Sequence, residues 1–197
     1  MAIAAGIAVG LVGTSFHSQS RNDAAKLIGA IKYAYNESVT KNLYYRIVFD
    51  FEKQSYWLEY SDASFFVEKE TDEVKKAREE KEKKKALEKD SFDIGEEEED
   101  VEEVANFTEL EEEDAAVRLT KLDAEVLLKD VYVDHQEVPI NQGQAYLYFF
   151  PRGLTELAVI NFTDETEESF LSLVVNPITG RCTVKREYVE YDKLNEE

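Results

Sequence analysis

The first sixteen residues, MAIAAGIAVGLVGTSF, carry no charged side chain. A helix crossing a bilayer needs about 20 apolar residues, so this stretch is too short to span one by itself. A signal peptide would place basic residues ahead of the apolar run; here the apolar residues begin directly after Met1. The stretch reads as the later part of a membrane helix, with the expectation that Met1 is an internal methionine of a longer reading frame. A short core helix is the alternative. Gly6, Gly10 and Gly13 argue against it, because each glycine inside a soluble helix costs about 1 kcal/mol relative to alanine, whereas membrane helices tolerate glycine better. Ile3, Ile7, Val9, Leu11 and Val12 are the side chains expected to pack in lipid or against neighbouring helices.

Polarity sets in at HSQSRND, yet the helical spacing continues through Ala24, Leu27, Ile28, Ile31, Ala34, Tyr35 and Val39. Steps of three and four mark one face of a helix. Residues 1–40 are therefore predicted to form one long helix, membrane-like over 1–16 and amphipathic afterwards.

The period then changes to two. In LYYRIVFDF, Leu43, Tyr45, Ile47, Phe49 and Phe51 alternate with Tyr44, Arg46, Val48 and Asp50, the signature of a strand. EKQ turns the chain and SYWLEYSD returns it, predicting a hairpin. After an ambiguous stretch, a strand is expected over Val126–Val133. QAYLYFF, the turn PRG and LTELAVINF then read as an aromatic hairpin, followed by a strand in ESFLSLVV, the turn NPITG and a closing strand in RCTVKREYVEY, together an antiparallel meander. Pro151 and Pro177 stop the preceding strands, while Gly153 and Gly180 supply the left-handed backbone these turns require.

Between the two halves lies an acidic block. Residues 68–114 contain 22 acidic and 9 basic residues, so −13 of the chain's net charge of −20 resides there. Such a stretch repels itself and has too few apolar side chains to offset its ordering entropy. It is expected to be a disordered insertion in a β head formed by 41–67 and 115–197. The acidity also excludes nucleic acid as a partner, since phosphate backbones demand clustered Lys and Arg.

Catalytic chemistry finds little support. His17 and His135 stand in no metal-ligand spacing, and neither a nucleophile elbow nor a phosphate-binding glycine loop is present. Asp134 could tune His135, but the expectation is an exposed loop histidine. DETEE at 164–168 lacks the calcium-loop pattern. Cys182, the single cysteine, reads as a partly buried strand residue. No catalytic residue, metal or cofactor is assigned.

The order of these parts resembles the minor pseudopilins of type II secretion, the GspH/FimT type. The resemblance rests on AAKLIGAIKYAYNESVTKNLYYRIVFDFEKQSYWLEY, on YLYFFPRGLTE with its F-x-P-x-G turn, and on LSLVVNPITGRCTVKR. It covers most of the chain outside 68–115. It implies an α+β, pilin-like fold: a long N-terminal helix followed by an antiparallel head of two small sheets. It further implies a structural subunit in the bacterial inner membrane with its head in the periplasm. Its partners would be other minor pseudopilins, the major pseudopilin and possible secreted cargo. A minor type IV pilin of a pilus or DNA-uptake system is the alternative. The basic leader, the Gly–Phe processing site and the glutamate that begin such proteins are not found in this sequence, and the acidic insertion is a second departure.

Overall fold

In the computed structural model, helix α1 runs unbroken from Ala8 to Lys41. The described residues are 8–63, 106–110 and 119–192, with the backbone alone for 8–15. Asn42 follows α1 with φ of 55°, the left-handed conformation that ends a helix and that asparagine tolerates better than most residues. The chain then enters strand β1 (Tyr44–Asp50), turns, and returns as β2 (Ser55–Ser61). The register pairs Asp50 with Ser55 and Tyr44 with Ser61, as the alternation predicts.

Two short strands, β3 (Thr108–Glu109) and β4 (Thr120–Lys121), lie against the outer side of β2. β5 (Leu127–Val133) opens a second sheet, but β6 (Gln144–Phe150) goes back to the first, beside β1. β7 (Leu154–Thr155) pairs briefly with β6; β8 (Ala158–Thr163), β9 (Phe170–Val175) and β10 (Cys182–Lys185) complete the second sheet. The strand orders are β3-β2-β1-β6-β7, with β4 also on β2, and β10-β9-β8-β5. One helix followed by two antiparallel sheets is the expected α+β class.

α1 packs on β1, β6 and β9 and so joins the two sheets. Its buried stripe is Phe16, Ala24, Leu27, Ala30, Ile31 and Ala34. The inward side chains of the first sheet, Tyr45, Ile47, Phe49, Leu58, Leu147 and Phe149, share one core with Val131, Ile160, Phe162 and Leu173 of the second. Fully burying one such side chain contributes about 1.5–3 kcal/mol. Val39, expected on the same stripe, is 48% exposed.

Three expectations change. First, LTELAVINF is not one strand of an aromatic hairpin. The chain leaves the first sheet after Thr155 and enters the second at Ala158. All six residues of β8 are buried, because the segment 186–192 crosses its other face, with Val189 and Tyr191 packed beside Tyr132, Val159 and Val174. A strand covered on both faces shows a continuous apolar run rather than alternation. Second, the simple meander fails for the same reason: β5 and β6 belong to different sheets. RCTVKREYVEY yields only the four residues of β10 as strand. Third, the expected insertion at 68–114 gives residues back to the head near its end. Thr108 and Glu109 pair with Tyr60 and Glu59, and the Leu110 N–H donates to the Leu58 carbonyl at 3.3 Å. The remainder of that block lies outside the described residues.

Candidate assembly surface

Tyr35 stands on α1 and leans toward both glycine turns. Its hydroxyl oxygen is 2.7 Å from the Gly153 carbonyl and 2.7 Å from the Ile178 carbonyl, so its one proton is shared between two acceptors. The same ring lies against Gly180. The Thr155 N–H donates to the Pro177 carbonyl at 2.9 Å, tying β7 to the β9–β10 turn. The two turns that contain Pro151 and Gly153, and Pro177 and Gly180, predicted separately, thus meet at one tyrosine. Gly153 and Gly180 have φ of 74° and 60°, as their assigned role demands. Around this knot, Val39, Leu154 and Ile178 are exposed at 48%, 48% and 69%.

The expected packing residues of the helix are placed less fully. Ile3 and Ile7 lie outside the described residues. Val9, Leu11 and Val12 lie within α1. Among the described residues, no helix is long and apolar enough to cross a membrane.

The outward face of the first sheet carries a second constellation. The Arg46 guanidinium sits 4.1 Å from the Phe107 ring centroid and 4.5 Å from that of Tyr146. It also bonds Glu59, whose other oxygen accepts from the Trp57 indole at 2.9 Å. Tyr148 and Phe107 pack ring to ring, as do Tyr44 and Phe150. The strand period alone puts Tyr44, Arg46, Tyr146, Tyr148 and Phe150 on this face; the arrival of Phe107 from the acidic block could not be read.

His135 departs from expectation. Its side chain is only 10% exposed, and Nδ1 is 2.6 Å from Glu156 Oε1. Glu156 Oε2 accepts the Tyr148 N–H at 3.1 Å. The chain's crossing between sheets forces Glu156 inward, where a carboxylate must find donors. Asp134, His135, Phe150, Thr155, Glu156, Leu157 and Pro177 line a groove of about 410 Å³ here. A further buried network joins Asn161 to Asp130, Ser172 and the Val189 carbonyl. It holds the C-terminal segment over β8. Cys182 is half-buried in β10, and burial pushes its thiol up to about 11. Among the described residues, no three His, Cys, Asp or Glu gather to hold a metal. Asp164 spends its side chain on the Glu168 N–H and the Thr166 hydroxyl.

No family model matches the chain. No curated protein matches it either. Among solved structures, it is similar to the minor pseudopilin EpsH from the type 2 secretion system of Vibrio cholerae. The TM-score is 0.45 at 9% identity, covering 85% of this chain and 94% of that one. The fold class rests on the helix and the two sheets themselves.

Proposed function

We propose that the chain is a minor pseudopilin, a structural subunit of a type II secretion pseudopilus. In this reading its N-terminal helix sits in the bacterial inner membrane and its head in the periplasm. It acts at or near the tip, in assembly initiation and protein export, alongside other minor pseudopilins and the major pseudopilin. The role is structural rather than enzymatic.

One observation carries the reading. A single 34-residue helix, Ala8–Lys41, passes unbroken from an uncharged sequence into a head that clasps it. At 1.5 Å per residue it is about 50 Å long, and among the residues whose side chains are described its buried stripe runs from Phe16 to Ala34. Apolar helix packing drives assembly but discriminates poorly between partners; the head supplies the polar variety that specificity needs.

The test is Val9→Lys in the full chain. A charge at the centre of a membrane helix costs at least about 2.5 kcal/mol. Membrane fractionation should show loss of the variant from the membrane, and a secretion assay should show loss of export, while circular dichroism shows an intact head. Wild-type secretion by Val9→Lys would overturn the anchoring role.

A further inference from the structure

Of the side chains that line the groove beside His135, Asp134 and Glu156 are acidic and none is a lysine or arginine. At about 410 Å³ the groove has room for far more than single waters of ~30 Å³ each. Phe150, Leu157 and Pro177 make part of its wall apolar. A concave, partly apolar site with a few fixed polar groups suits one long side chain of a partner.

The polar end of the groove is held from behind. The side chains of His135 and Glu156 are 10% and 8% exposed, with Nδ1 at 2.6 Å from Oε1. Glu156 Oε2 already accepts the Tyr148 N–H, which fixes the carboxylate as an acceptor. In the neutral ring this puts the imidazole proton on Nδ1 and makes Nε2 an acceptor in turn. Nε2 has no partner among the described residues. Asp134 stands next in the chain, its N–H donating to the Leu157 carbonyl at 3.1 Å. Its side chain is exposed and makes no hydrogen bond among the described residues.

The rim adds apolar surface. Leu154 precedes Thr155 and Ile178 follows Pro177, and both are exposed. The Thr155–Pro177 hydrogen bond joins the two sides.

We propose that this groove receives a lysine or arginine side chain from a partner polypeptide. The cation lies between Asp134 and His135 Nε2 and donates to both, while its methylene stem lies along Leu157 and Pro177. Charge selects the occupant. An acidic side chain would meet two carboxylates, and a neutral apolar one would leave Nε2 and Asp134 without a donor. A partner of this chemistry need not be a pseudopilin, so the site stands apart from the function proposed above.

Nuclear magnetic resonance of the full chain in detergent tests this, with acetyl-Ala-Lys-Leu-Ala-amide as the probe. The chain has two histidines, so His17 is an internal control for general attraction to an acidic protein. At about 0.15 M salt, where charges act over ~8 Å, the peptide should shift the His135 ring signals and leave those of His17 in place. A dissociation constant of about 1 mM is expected for a single side chain in one groove. The same peptide with norleucine or glutamate in place of lysine should not bind. Asp134→Asn should weaken binding roughly tenfold and Asp134→Lys should abolish it, both with unchanged thermal unfolding because this side chain is exposed. Glu165→Gln, which removes an exposed carboxylate outside the groove, should bind like the parent. Equal shifts from the norleucine peptide would make the groove a merely apolar contact and overturn the proposal. An equal loss in Glu165→Gln would overturn it too, by assigning the binding to the net charge of −20 alone. So would the absence of any shift at His135. No secretion enters this assay, so its failure leaves the pseudopilin reading to its own test.

Discussion

The Tyr35 ring fills the space that a side chain at Gly180 would need: a Cβ built there would lie 2.6 Å from Tyr35 Cδ2. Gly180 also holds φ of 60°, so alanine would suffer both strain and collision. Gly143 offers the comparison. Its φ is 66°, yet a Cβ there meets nothing within 4 Å. Gly143→Ala should cost about 1 kcal/mol from backbone strain alone. Gly180→Ala should cost clearly more, about 2–4 kcal/mol once overpacking is added. Thermal unfolding of the two variants reads the difference; equal losses would mean that the helix does not press on this turn.

Tyr35→Phe keeps the ring against Gly180 and deletes the hydroxyl shared by the Gly153 and Ile178 carbonyls. A loss of about 1 kcal/mol is expected, because both acceptors remain near solvent and rehydrate. Hydrogen exchange should rise locally, at the Gly153 and Gly180 amides of the two turns, with little change in β1. Uniform acceleration across the head would contradict the assignment of Tyr35 as a local clasp.

Much of this architecture was legible because its signals are local. The period of β1 and β2, the glycine turns and the helical stripe from Ala24 to Tyr35 all follow from neighbours a few residues apart. What was not legible depends on partners far along the chain. LTELAVINF looks like one strand, and only the cover supplied by Val189 and Tyr191 explains why its second part is buried on both faces. His135 looks exposed until Glu156 arrives from 21 residues away. Phe107 sits in a stretch that composition marks as solvated, yet its ring covers Arg46. Tyr35 itself was read only as one more apolar position on a helix, since nothing nearby shows that its hydroxyl would join two turns.

Glu156→Ala should be among the more damaging single changes in the head. It would leave the His135 ring and the Tyr148 N–H without their acceptor at a buried corner. A loss of about 2–3 kcal/mol is expected for two such orphaned groups. Glu156→Gln should retain part of that stability, since its amide oxygen still accepts one bond. Urea titration of both variants checks the order; a harmless Glu156→Ala would show that the corner is hydrated.

Acid should weaken the β1–β2 turn through Asp50. The Lys53 backbone N–H, donating at 2.8 Å, holds the Asp50 carboxyl below the usual carboxylate range, against the opposing effect of burial. Because the folded value is depressed, the stabilisation is complete above the unfolded value of about 3.9 and is lost as pH falls through the folded one. Asp50→Asn should therefore be less stable than the parent at neutral pH and converge with it in strong acid. Urea midpoints across that range would show the convergence; a constant gap would assign the effect to something other than ionisation.

The central claim, a subunit of a secretion pseudopilus, is tested most directly in the native host. Delete the gene and measure how the type II secreted proteins divide between medium and periplasm. The account predicts that they accumulate in the periplasm and that the wild-type chain, but not Val9→Lys, restores export. Undiminished secretion in the deletion strain, with or without a loss of pili or DNA uptake, would contradict it.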